Sequence, residues 1–189
     1  MTSTKADIRA RIRTLRASIP ARERSAFSSA AAARALELPQ VRDARYVLGF
    51  APASEELDVT PLLDALADRG ATIVLPRMAG PDELTLHVAE RSEALEAGPF
   101  GIRQPAADAP EANAQRVDLV VVPGIAFDAH GARIGFGAGY YDRLLPHLPG
   151  AYRLALAYDF QVQDSLPTEP HDIAMHAVVT PDRTLVAGH

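Results

Sequence analysis

The chain of 189 residues contains no cysteine and no tryptophan. Without thiols there is no disulfide framework, no thiolate zinc site and no cysteine nucleophile, so any chemistry must run through oxygen and nitrogen groups. Long hydrophobic runs are also missing. Nothing reaches the eighteen or so apolar residues that span a bilayer, and the opening "MTSTKADIRARIRTLRA" lacks the apolar centre of a secretion signal, so the expected location is the cytoplasm with no membrane partner. A uniform charge is absent too. Residues 1–45 hold ten Lys or Arg against four acids, leaving nine against twenty in the remainder. The basic arm has no aromatics interleaved with its cations and is followed by an acidic body, which argues against nucleic acid as a partner. Hydrophobic residues at 48% and charged residues at 23% give the balance of a globular chain, and the length suits one α/β domain, residues 1–189, with an N-terminal helical segment.

Ile8, Ile12, Leu15 and Ile19 recur at helical spacing, which predicts an amphipathic helix ending at Pro20. An alanine-rich helix through about Leu36 follows. Apolar runs "YVLGF", "TIVLP", "LTLHV", "VDLVVVP", "RLALAY" and "HAVVT" read as strands, and "TPLLDALADRG" between the first two reads as a crossover helix closed by Gly70. Strand, helix, strand implies parallel pairing, and continuous apolar strands imply cover on both faces. The expected fold is a three-layer α/β/α sandwich with a mostly parallel sheet. Its ligand should lie beyond the carboxyl ends of the strands, where "FAPASEELD", "PRMAGPDE", "PGIAFDAHGARIGFGAGYYD" and "AYDFQVQD" would gather as loops.

The third of these loops is the most informative. Glycines at 124, 131, 135, 137 and 139 surround an apolar strand end and lead into "YYDRLL". "GFGAG" before a helix offers backbone amides to phosphate, although it is neither a Walker loop nor the dinucleotide fingerprint, and a tight structural turn explains the glycines as well. Asp142 directly follows. An acid beside phosphate calls for a divalent cation between them, or else for a salt bridge. Lys5 and Arg9, four apart, share one helix face with Arg16 further along it, a cationic surface that could reach phosphate oxygens or could remain solvated. Glu56 follows the first strand, where a carboxylate can accept hydrogen bonds from a polar heterocycle. Asp172 could supply a second acid for a metal, while the neighbouring His171 is a weak signal for a catalytic base.

Taken in order, "KADIR", "EELD", "VLPR", "PGIAFDAHGARIGFGAGYYDRLL" and "EPHDIAMHAVVT" resemble the 5-formyltetrahydrofolate cyclo-ligase family over about residues 5–181. The resemblance implies ATP- and magnesium-dependent closure of 5-formyltetrahydrofolate to 5,10-methenyltetrahydrofolate. By position it implies ATP contacts at Lys5, Ala6, Asp7, Ile8 and Arg9, and at Arg133, Ile134, Gly135, Phe136, Gly137, Ala138, Gly139, Tyr140 and Tyr141. It places Asp142 and Asp172 beside Mg2+ and Ala51 with Glu56 on the folate. No protein nucleophile is required. Phe50 and Tyr140, by their aromatic character, are candidates to stack on the pterin. The chain departs from the family pattern at Phe136, where a basic residue is usual, at Ala138, and at His176, where an acid is usual. Those departures keep open a nucleotide- or folate-binding module with little turnover. A sugar-phosphate isomerase or ligand-sensing domain on a similar sheet leaves the "GYYDR" context unexplained.

Overall fold

The computed structural model describes residues 4–80, 83–89, 95–170 and 172–188; His171 lies outside them. Chain order begins with helices α1 (Lys5–Ala17), α2 (Ala21–Ala35) and α3 (Pro39–Arg42), then strand β1 (Tyr46–Leu48) and helix α4 (Thr60–Ala67). Strands β2 (Thr72–Met78), β3 (Leu84–Val88), β4 (Leu95–Ala97), β5 (Arg103–Pro105), β6 (Leu119–Val121), β7 (Ala126–Asp128) and β8 (Arg133–Ile134) follow. Helix α5 (Tyr140–Leu144) and strands β9 (Tyr152–Leu156), β10 (Val162–Gln163), β11 (Ala177–Val179) and β12 (Thr184–Val186) complete the order. Among the described residues, no helix is long and apolar enough to cross a membrane.

The main sheet runs β12-β11-β9-β6-β1-β2-β3. Its five central strands are parallel and both edge strands are antiparallel. Side chains alternate along each strand, and the alternation sorts the core into two layers. Val47, Ile73, Leu119, Leu154 and Ala177 face α2, α3 and α4 through Ala31, Ala35, Val41, Leu62 and Leu66. Tyr46, Leu48, Val74, Val120, Ala155 and Val178 face the opposite way, against Phe127 and the Tyr141, Leu145 and Leu148 side chains. The strands are therefore apolar throughout because both faces are covered, and the three-layer α/β/α sandwich read from the sequence is the fold.

A smaller sheet, β10-β7-β8, was not legible as such: the segment read as one long loop after β6 contains the β7–β8 hairpin. Asp128 holds its turn. The buried carboxylate accepts from the Ala132 and His130 N–H groups at 3.0 and 2.9 Å and from the Leu166 N–H at 3.1 Å. Gly131 at the tip has φ +85°, and a Cβ there would meet the Met175 carbonyl oxygen at 2.3 Å. The glycine lets two backbones touch.

Helix α1 docks on this small sheet, with Ile8 and Ile12 packed among Ile125, Ala126 and Ile134. A reciprocal capping box between Thr4 and Asp7 fixes its start. It ends at Ala17 rather than Pro20, which instead caps α2. The buried stripe also differs from the expected one. Leu15 is 38% exposed, whereas Arg16, four residues beyond Ile12, is 4% exposed. Ile19 packs against the main core.

Asp128→Ala should leave three N–H groups without their acceptor and lower the unfolding free energy by about 3 kcal/mol. Urea titration checks this as a lower midpoint at unchanged slope.

Candidate active site

The order of the main sheet reverses at β1 and β6. From β1 the chain moves outward to β2 and β3, and from β6 it moves the other way to β9 and β11. At such a reversal the loops leaving neighbouring strands diverge and open a crevice beyond their carboxyl ends. A cleft of about 710 Å³ lies there. Phe50 and Ala51 after β1, Pro76 and Met78 of β2, and Pro123 after β6 form part of its wall. Lys5, Arg9, Arg13, Glu56, the whole 133–142 segment, Glu169 and Asp172 complete most of it.

Nearly all residues marked out in the sequence thus meet in one place. Within the first helix the placement is selective, because helical geometry allows only one face to point inward. Lys5 and Arg9 line the cleft; Ala6 and Asp7 are exposed, Asp7 being engaged in the cap, and Ile8 is buried beneath the helix. The "AYDFQVQD" loop does not reach the cleft wall. Its Gln161 amide instead donates to the Ile125 and Gly124 carbonyls at 2.9 and 3.2 Å, pinning the small sheet. His176 lies away from the cleft, its ring stacked on Tyr152 at 5.0 Å.

The glycine segment from 135 to 139 lies outside strand and helix, between β8 and α5. Gly137 and Gly139 have φ +108° and +70°, and so adopt a left-handed backbone that side chains resist. Arg9 Nε donates to the Gly135 carbonyl at 2.9 Å, fastening the loop to α1.

Two further cations of the cleft are held by carboxylates. Arg133, almost wholly buried, pairs with Asp142 and donates to the Pro123 carbonyl at 3.2 Å. Burial pushes its guanidinium below the ordinary value, opposed by the nearby Asp142 charge. Lys5 Nζ lies 3.4 Å from both Asp172 and Glu169. The hydroxyl of Tyr141 is buried with no hydrogen-bond partner among the described residues, and burial pushes its pKa up. An orphaned hydroxyl in a cleft wall is a group prepared for a ligand or water.

Glu56 is held by the Ala53 N–H at 2.8 Å and lies 3.9 Å from the Arg16 guanidinium. Arg16 in turn donates to the Gly124 carbonyl, and its charge centre lies 5.7 Å from the Phe136 ring centroid. Arg16 was visible in the sequence only as one more cation of the basic face. Its spacing of four from Ile12 was the available signal that it points inward. Of the aromatic candidates, Phe50 is 9% exposed and belongs to the main core, and Tyr140 is half-buried with the Arg143 guanidinium 5.3 Å from its ring.

Desolvation dominates Glu56 and raises its pKa above the ordinary carboxylate value; the Ala53 N–H and Arg16 only partly counter it. A carboxyl whose pKa is raised on folding binds its proton more tightly in the native state. Stability is then fullest below the unfolded pKa and is lost as pH rises through the folded one. Glu56→Gln has no such loss. Its stability relative to the parent should therefore be higher at pH 7 than at pH 4, as read by parallel denaturant titrations.

Comparison with known proteins agrees with this geometry. Residues 1–181 match the model of the 5-formyltetrahydrofolate cyclo-ligase family. The chain is 38% identical over 149 residues to 5-formyltetrahydrofolate cyclo-ligase of Mycolicibacterium smegmatis, covering 76% of this chain and 77% of the relative. With the enzyme of the same name from Escherichia coli it shares 32% identity over 178 residues, covering 91% and 97%. The solved structure of 5,10-methenyltetrahydrofolate synthetase from Aquifex aeolicus superposes with a TM-score of 0.85 at 31% identity, covering 98% of this chain and 93% of that one. The chain belongs to the 5-formyltetrahydrofolate cyclo-ligase family.

Proposed function

We propose that this protein closes 5-formyltetrahydrofolate to 5,10-methenyltetrahydrofolate, consuming ATP with magnesium and releasing ADP and phosphate. The observation that carries this reading is that one cleft joins the glycine loop and its cations to the buried carboxylate of Glu56. The formyl oxygen takes the terminal phosphoryl group of ATP. The second folate nitrogen then attacks the formyl carbon, loses its proton and expels the oxygen as phosphate. The protein needs no covalent intermediate, since transfer of this kind depends on positioning and charge neutralisation.

Lys5, Arg9 and Arg133 are the cations available to the phosphate oxygens, and the 135–139 backbone lies beside them. Asp142 and Asp172 line the same wall. Among the described residues, no three His, Asp or Glu side chains gather into a metal cage. That fits magnesium, which takes one or two carboxylates and fills its remaining positions with phosphate and water. Asp142 and Asp172 would hold the ion, which supplies positive charge to the phosphates. The same carboxylates pair with Arg133 and Lys5, so nucleotide binding would exchange these pairs for phosphate contacts. Glu56 accepts hydrogen bonds and suits the donor edge of the pterin.

Incubation with 5-formyltetrahydrofolate, ATP and magnesium should produce the methenyl chromophore, with none when either ATP or magnesium is omitted. A folded sample that binds both substrates and yields no product would instead support a binding module. Asp142→Asn should require about tenfold more magnesium for half-maximal rate, because the amide keeps the shape and loses the charge. An unchanged magnesium titration would assign Asp142 to the Arg133 pair alone.

A further inference from the structure

Phe136, where the family resemblance leads one to expect a basic residue, has a buried cation behind it. Phe136 lines the cleft and is 43% exposed. The charge centre of Arg16 lies 5.7 Å from its ring centroid, within the range of a cation–π contact. Arg16 is fixed in turn by the Gly124 carbonyl and faces Glu56 at 3.9 Å. One guanidinium therefore touches both the exposed aromatic ring and the buried carboxylate, and brings them side by side.

This arrangement decides what the ring can do. An arginine at position 136 would set a second cation against one already deprived of water, so the position cannot acquire the charge usual in the family without cost. A benzyl side chain does nothing for a phosphate. It does offer a flat apolar face, and the Arg16 charge beneath it draws electron density from that face. Such a ring complements an electron-rich planar heterocycle. The other aromatic side chains of the cleft offer less open ring: Phe50 and Tyr141 are each 9% exposed, and Tyr140 is half-buried.

Two heterocycles enter the proposed reaction, and Glu56 distinguishes them. Adenine presents on its amino edge one donor beside a ring acceptor. The aminopyrimidinone half of the pterin presents two adjacent donors, its amino group and the neighbouring ring N–H. A carboxylate takes two such donors together. We propose that Phe136, backed by Arg16, is the platform on which the planar aminopyrimidinone of the folate stacks while Glu56 takes its donor edge. This assignment rests on the cyclo-ligase reading, makes Phe136 a folate-binding residue rather than a vacant phosphate contact, and makes Arg16 a positioning residue acting through it.

Phe136→Leu keeps an apolar side chain and removes the flat face; Phe136→Tyr keeps the face. The leucine variant should raise KM for 5-formyltetrahydrofolate about tenfold, as expected for loss of one stacking contact. KM for ATP should stay within about twofold and the melting temperature should be unchanged. The tyrosine variant should behave like the parent, which a general packing role for position 136 would not require. Phe136→Arg should fail to lower KM for ATP. Calorimetry with 5-formyltetrahydrofolate on the nucleotide-free protein separates this assignment from the reaction itself. A parent without turnover whose folate affinity still falls on Phe136→Leu would sink only the ligase reading. A parent that turns over, with folate affinity and KM unchanged in the leucine variant, would overturn the stacking platform, as would Phe136→Arg tightening ATP.

Discussion

A guanidinium removed from water at the end of a parallel strand is the constraint around which the cleft is organised. Arg16 leaves α1 and points inward at the carbonyl that follows β6, at Glu56 and at Phe136. A buried ion is costly unless its geometry is fixed, and its contacts contribute more to register than to stability. The consequence is mechanical. Helix α1 cannot slide or rotate on the small sheet without stranding a charge, so Lys5 and Arg9 on its inner face are held beside the glycine loop. Burial draws the guanidinium below its ordinary pKa, and the carboxylate it faces is raised for the same reason. Both groups are retained although each alone would be more stable in water.

The main sheet was readable because its physics is local and repetitive. Leu119–Val122 and Leu154–Tyr158 are apolar on both parities, and only a sheet covered on two faces makes that pattern favourable. The crossover helix α4, which ends at Ala67 ahead of the Gly70 turn, forced parallel pairing. The β7–β8 hairpin escaped because its strands are short and its turn depends on Asp128 accepting from Leu166, a partner 38 residues away. The site was readable wherever residue type and spacing both mattered, as at Lys5 and Arg9 or along 133–142. It was not readable at Arg16, whose inward direction is decided by the roughly 100° of helical angle that separates it from Leu15 and by partners from three separate segments. Nor did the sequence reveal that Asp142 and Arg133 would be partners, since they stand in α5 and β8 on either side of the glycine loop.

Two of the cleft cations are paired with carboxylates. Asp142 neutralises Arg133, and Asp172 with Glu169 neutralises Lys5. This lowers the cost of keeping cations in a partly dry cleft before any anion arrives, and it holds their side chains in place. The same pairing limits indiscriminate attraction of phosphate, because an incoming anion must compete with a carboxylate already there. In the proposed reaction, a divalent ion arriving with the nucleotide would relieve that competition by giving the carboxylates a cation of their own.

The contacts that close the cleft join distant parts of the chain. Lys5 meets Asp172 across 167 residues, Arg9 meets the glycine loop across 126 and Arg16 meets Gly124 across 108. During synthesis α1 therefore emerges long before anything it can dock against, and its apolar face, Ile8 and Ile12, must wait in the open while the sheet is made. Contacts of such separation carry a loop-closure penalty that only an assembled partner surface offsets. The cleft therefore cannot be completed before the segments that carry Gly124, Gly135 and Asp172 are in place. Nascent chains stalled before β7 hold most of the first core layer and none of the platform that α1 needs.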